Sequence, residues 1–241
     1  MDVRLMKIIL NGAYAIRDHW SLLASGTFDE GIHLVSGEVG SGKSTLALMM
    51  AELFPLSGGC MGKTGISSCM LSLQFPELHV TGRTVAEECA SWGTSADEIL
   101  AGSGLTARKD ASPFSLSRGE LKRLHLACVF SKEYDLLLLD EPFSSLDCQE
   151  KTKLCSAFEE KSRGITVIFT HEQNILPRVD RIWEIADGRL SDCGSPPDAY
   201  EHWHHVPPLV KKLTALGSRP GNISLQDLQE AACRTKFQIS P

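Results

Sequence analysis

The chain has 241 residues, 42% hydrophobic and 22% charged, which suits one globular domain with a small appendage. Its net charge of −6 argues against a broad nucleic-acid footprint. The apolar runs are only a few residues long, far short of the roughly 20 that cross a bilayer, and the opening MDVRLMKIILNGAY lacks a signal peptide's long apolar stretch, so a cytosolic location is expected. Eight cysteines without a C-x-x-C pair exclude a zinc ribbon and a thioredoxin-like motif, and read as reduced thiols, several of them buried.

In chain order, GIHLVSGEVGSGKSTLALMMAELF reads as a short strand, a glycine-rich turn and a helix with Leu46, Met49, Met50 and Leu53 on one stripe, ended by Pro55. SSCMLSLQ is a second strand. Residues 76–114 carry little strand character and are expected to form a small helical insertion. In SPFSLSRGELKRL, Leu121, Leu124 and Cys128 fall at helical spacing, so a helix starts near Ser117. DLLLLDE reads as a fully buried strand and GITVIFT as another, rich in β-branched residues. Strands bounded by helical stretches imply a mostly parallel sheet covered on both faces. RIWEIADGRLSD places Asp187-Gly188 between alternating segments, a hairpin signal. GSPPDAYEHWHHVPP is expected to begin a tail separate from the core.

The sharpest chemical signal is GEVGSGKST, Gly37 to Thr45, between strand and helix. Gly37, Gly40 and Gly42 let backbone amides converge on phosphate oxygens, aided by the positive end of the following helix. Lys43 supplies a full charge to the terminal phosphates, and the Ser44 hydroxyl is a ligand for Mg²⁺. Four leucines later in the chain run into Asp140 and Glu141. Burying two carboxylates at a strand end is costly unless a cation or a hydrogen-bond network meets them. Asp140 suits a Mg²⁺ ligand, and Glu141 is placed to take a proton from attacking water. Ser117 and Glu120 stand in the S-x-x-E order of a capping box, which needs no ligand, although the same helix start beside Gly119 could receive a phosphate. His202, His204 and His205 form a short tract with no carboxylate or cysteine partner at helical spacing, and carry no metal assignment.

Taken together, GEVGSGKST, Gln74 in LQFPE, LSRGE at 116–120, LLLLDEP, SSLD at 144–147 and His171 in VIFTHE resemble, in order, the ATP-binding subunit of an ABC transporter. The resemblance implies an α/β P-loop NTPase fold with a mostly parallel core sheet, an N-terminal antiparallel β part and a helical subdomain at 76–114, within a nucleotide-binding domain at 1–195, followed by an extension at 196–241. It implies ATP hydrolysis with Mg²⁺. ATP would be bound by Gly37, Gly40, Ser41, Gly42, Lys43, Ser44 and Thr45. Ser44, Gln74 and Asp140 would hold the metal, and Glu141, His171 and Gln74 would act in catalysis. Tyr14 resembles the aromatic that stacks on adenine, with His19 and Trp20 nearby. Two such domains would meet head to tail. Ser117 and Gly119 of one would then close over ATP held by the other, with Asp147 at the interface.

The implied partners are a second ATP-binding subunit, identical or not, and integral membrane transport subunits, with no nucleic acid; the chain would sit peripherally on the cytoplasmic face of the cell membrane. Arg118 and Glu120 replace the family's glycine and glutamine, which makes the lid unusual. QFPE, SPFSLSRGE, DRIWEIADGRLSDCGSPPDAYE and VPPLVKKLTALG are more narrowly similar to energy-coupling-factor importers of vitamins or transition-metal ions. In those, a groove near Gln74, here with Phe75, Pro76 and Leu78 as candidates, receives helices of the membrane partner. The alternatives are an ABC-type ATPase that moves no solute, in iron–sulfur assembly or DNA maintenance, and a binding module whose altered LSRGE prevents turnover.

Overall fold

The computed structural model describes residues 5–17, 20–93, 95–161 and 163–238. Strand β1 (Lys7–Arg17) pairs antiparallel with β2 (Trp20–Asp29). In β1 the buried positions switch from Ile8 and Leu10 to Ala13 and Ala15, because the register shifts between Leu10 and Ala13, at Gly12 with φ 55°. β3 (Gly31–Gly37) leads into α1 (Lys43–Met50). The helix stops sooner than the hydrophobic stripe suggested: Glu52 turns to φ 61° and Leu53 is 68% exposed, while Leu46, Met49 and Met50 are buried.

β4 (Gly58–Thr64) adds to the edge of β1, and β5 (Cys69–Ser72) lies at the opposite edge of the sheet. The insertion is helical, as expected, with α2 (Val85–Ser91) and α3 (Ala96–Ser103) capped by the Thr84 and Ser95 side chains. With α4 (Arg118–Val129) they enclose their own small core of Val85, Cys89, Ile99, Leu100, Leu124 and Cys128. There follow β6 (Leu136–Asp140), α5 (Cys148–Lys161), β7 (Ile165–Phe169), β8 (Arg181–Ala186) and β9 (Arg189–Gly194). Asp187 and Gly188, at φ 49° and 69°, make the two-residue turn between β8 and β9.

Among the described residues the sheet runs β4-β1-β2-β9-β8-β3-β7-β6-β5. The half from β8 to β5 is parallel, and β6 and β7 are buried at every position because layers cover both faces. One layer packs Leu46, Met49, Phe28 and Trp183 against Leu136, Leu138 and Val167. The other packs Phe158 and Phe143 against Leu139 and Ile168. Because the central strands run in parallel, β3, β6 and β7 all deliver their C-terminal ends to one crevice, where α1 begins.

Residues after 195 are not a separate tail. Trp203, Val206, Val210, Leu213, Ile223 and Leu228 are buried in the same core as Leu34 and Ile168, with α6 (Pro208–Ala215) and α7 (Leu225–Gln238) packed on each other. The Asn222 side chain accepts from Val179 N–H at 3.1 Å and donates to Val179 O at 2.8 Å, and Arg178 pairs with Asp227 at 2.8 Å. The Pro- and His-rich composition suggested a loose segment, whereas a buried tryptophan and an amphipathic helix hold it down. All eight cysteines are free thiols, and Cys89, Cys128, Cys155 and Cys193 are buried. No helix among the described residues is long and apolar enough to cross a membrane.

Candidate nucleotide site

The glycine-rich loop joins β3 to α1 with Gly37, Gly40 and Gly42 at φ 154°, 83° and 109°. Two of these positions are also sterically closed to a side chain. A Cβ at Gly37 would lie 2.6 Å from Ile185 O, and one at Gly42 would lie 2.2 Å from the Trp20 ring. Gly42 serves as N-cap of α1 without a side-chain cap, which leaves the first helical amides free for an anion. Lys43 folds back over the loop, its Nζ donating at 2.9 Å to both Gly37 O and Glu38 O. Burial lowers its pKa, opposed by Glu141 and Asp140.

The loop faces a cavity of about 540 Å³. It is lined by Gly40, Gly42, Lys43, Ser44 and Thr45 from the loop and the start of α1, by Gln74, Glu141 and His171, and by Arg17, Trp20 and Val39. Gly37 and Ser41 lie outside this lining; within the loop, Ser41 N–H donates to Glu38 O at 3.1 Å.

Asp140, at the end of β6, is 3% exposed, and its Oδ1 has no hydrogen-bond partner. Burial raises its pKa, while the Ser44 hydroxyl beside the carboxylate opposes the rise. A hydroxyl beside a buried carboxylate with one orphaned oxygen is a hard-oxygen donor set, which fits Mg²⁺.

Glu141 sits at φ 47°, a left-handed conformation costly for a non-glycine residue, and its N–H donates to Phe169 O at 2.8 Å. The carboxylate accepts from Thr170 Oγ1 at 2.9 Å, pairs with His171 Nδ1 at 2.7 Å and lies 3.7 Å from Lys43 Nζ. Glu141, His171 and Lys43 are therefore one connected polar group.

Ser117 and Gly119 do not line this cavity. Ser117 is exposed at the start of α4 in a complete capping box: Ser117 N–H donates to Glu120 Oε2 at 2.8 Å and Glu120 N–H to Ser117 Oγ at 3.3 Å. Glu120, the departure from glutamine, has its carboxylate turned back onto its own helix, with its pKa lowered by those Ser117 bonds. A Cβ at Gly119 would come 2.9 Å from Ser145 O, so this glycine permits close approach of the 144–147 loop. Asp147 caps α5, accepting Glu150 N–H at 2.9 Å.

Tyr14 is not at the cavity. Its ring lies over Gly58, where a Cβ would fall 2.2 Å away, and Trp20 stands beside the glycine-rich loop instead. Tyr14 lies in β1 and Trp20 begins β2, so spacing from Lys43 alone could not show which of the two strands brings its aromatic to the loop. His19 lies outside the described residues. Arg17 and Val39 gave no sequence signal. In the histidine tract, Glu184 on β8 supplies a carboxylate that spacing did not reveal: His204 Nδ1 is 2.6 Å and His205 Nδ1 2.5 Å from its oxygens. Among the described residues no three His, Cys, Asp or Glu side chains surround a common metal position.

Residues 25–144 match the family described as ABC transporter. A putative ABC transporter ATP-binding protein of Pyrococcus furiosus is 31% identical, over 80% of this chain and 86% of its own length. The energy-coupling factor transporter ATP-binding protein EcfA2 of Thermotoga maritima is 30% identical over 84% and 86%. Among solved structures, cbiO1 from Clostridium perfringens, part of the ABC transporter complex cbiONQ, superimposes with a TM-score of 0.66 at 21% identity, over 88% of this chain and 95% of that one, which is a likeness of fold. With a glycine-rich loop, a buried acidic strand end and two relatives matched over most of their length, the chain belongs to the ABC transporter ATP-binding family and is an ATPase.

Proposed function

We propose that this ATPase drives a membrane importer of the energy-coupling-factor type, serving a vitamin or a transition-metal ion, and that it acts in a head-to-tail pair with a second ATP-binding subunit. The similarity to EcfA2 supports the importer type. One observation carries the site: Lys43, Ser44, Gln74, Glu141 and His171 share one cavity while Ser117 and Gly119 stand outside it. Ser117 and Gly119, two of the nine expected phosphate contacts, would thus serve a neighbour's nucleotide.

In this reading the loop amides and Lys43 hold the phosphates, and the ammonium exchanges the carbonyls of Gly37 and Glu38 for phosphate oxygens. Ser44, Asp140 and Gln74 would hold Mg²⁺, which neutralises charge on the terminal phosphates when bound. Glu141 takes the proton of the attacking water once nucleotide draws Lys43 away, and His171 orients that carboxylate through its 2.7 Å bond. Trp20 supplies the aromatic face for the base. Phe75 and Leu78, exposed beside Gln74, face the membrane subunit, and the cargo is chosen by another subunit.

Affinity capture from native membranes tests the transport reading. Integral membrane partners should co-purify; recovery with soluble scaffold proteins alone would reject it in favour of an ATPase that moves no solute. Val39→Cys and Ser117→Cys chains, mixed, should crosslink to each other or to a related subunit when ATP is present. Absence of that crosslink would reject the head-to-tail pair.

A further inference from the structure

We propose that Lys122 is a positioning residue for hydrolysis, tying the helix that starts at Ser117 to the loop that carries Gln74. This rests on the reading of Ser117 and Gly119 as a lid over a neighbour's ATP.

Lys122 is the most unexpected buried side chain in the molecule. It is 1% exposed within α4, and its Nζ donates to Gln74 O at 3.2 Å. Burying an ammonium is costly, and an aliphatic side chain of similar length would fill the same space without that cost. The amine is therefore placed where packing alone would discard it, with the Gln74 carbonyl as its hydrogen-bond partner.

Its surroundings point the same way. Three successive residues at the end of β5 are each fixed by a side chain: Ser72 Oγ meets His125 Nε2 at 2.9 Å, Leu73 N–H donates to His79 Nε2 at 3.0 Å, and Gln74 O accepts from Lys122. Lys122 and His125 lie three apart on one face of α4, and His125 stacks on His79 with centroids 4.4 Å apart. Burial keeps the His125 ring neutral, aided by His79 and Lys122. Ser117 is five residues before Lys122, about 7.5 Å along a stiff helix. A lid that moves when Ser117 meets phosphate therefore carries Lys122 with it, and with Lys122 the carbonyl of Gln74. Contact at the lid of one subunit would in this way set Gln74 in that subunit's own site, linking the two ATPs of a pair.

The test compares Lys122→Met, Lys122→Arg and Glu141→Gln in the full chain, with whatever subunits co-purify. Lys122→Met should bind ATP within threefold of the parent and melt no lower, because a desolvated charge is gone, yet its kcat should fall at least tenfold. Lys122→Arg should restore at least a third of kcat. An unchanged kcat in Lys122→Met overturns the proposal. So does a loss of rate in both Lys122 variants that merely follows a loss of folded protein, since Lys122 would then be structural. Normal turnover by Glu141→Gln would instead show that the reading of the catalytic site is at fault.

Discussion

The indole Nε1 of Trp203 donates to the Ser36 hydroxyl at 2.6 Å, fastening the C-terminal segment to β3 one residue before the glycine-rich loop begins. Ser36 Oγ in turn donates to Trp183 O at 3.2 Å, and Glu184, paired with Ser36 across the sheet, holds the N–H groups of His204 and His205. The extension is thus part of the foundation of the phosphate site.

Truncating that anchor should be expensive. Trp203→Ala is expected to cost about 3–5 kcal/mol, and Trp203→Phe about 1–2 kcal/mol through the lost hydrogen bond and smaller ring. Urea denaturation of the full chain measures both. An unchanged midpoint for Trp203→Ala would mean the extension does not share the core.

Glu141 is engaged by Thr170 and His171, and a glutamine can keep the same place while losing the basic oxygen. Glu141→Gln should slow phosphate release by about 10²-fold or more while leaving ATP affinity within a few fold. Hydrolysis at the parent rate would remove Glu141 from the base's role.

Trp20→Ala should weaken ATP binding by roughly 5- to 100-fold, the range of about 1–3 kcal/mol for a base stacked on an aromatic ring. Tyr14→Ala should lower stability and leave affinity alone. A nucleotide titration of the two variants decides between them, and the opposite ranking would return the base to Tyr14.

Asp135 latches the start of β6 to the residues before β5, accepting from Ser67 Oγ at 2.6 Å, Ser67 N–H at 2.8 Å and Ser68 N–H at 2.9 Å. These bonds, the Ser67 hydroxyl first, hold its pKa at about 2, below the ordinary carboxylate value. Because the folded pKa is depressed, the stabilisation is complete above about pH 4 and is lost as pH falls toward 2. Asp135 is half-buried and keeps contact with solvent, so the gain is discounted to about 1 kcal/mol at neutral pH. Asp135→Asn should therefore be less stable than the parent at pH 7, with the gap closing as pH falls through 2. A constant gap across that range in pH-dependent denaturation would contradict the assignment.

The sequence by itself determined the glycine-rich loop, the acidic end of β6, the cap at Ser117 and the hairpin turn at Asp187-Gly188. Each of these is local: a φ only glycine adopts cheaply, a run of leucines that must be buried, a serine three residues before a glutamate. Only the tertiary structure decided that Trp20 rather than Tyr14 borders the loop, that Trp203 makes the extension part of the core, and that Glu184 meets the histidine tract. Lys122 is the extreme case, an ordinary lysine in a helical sequence until packing seals it behind Gln74. Such contacts join residues tens of positions apart, from 20 between Glu184 and His204 to 167 between Ser36 and Trp203, and no periodicity within one element can encode which distant partner a side chain will meet.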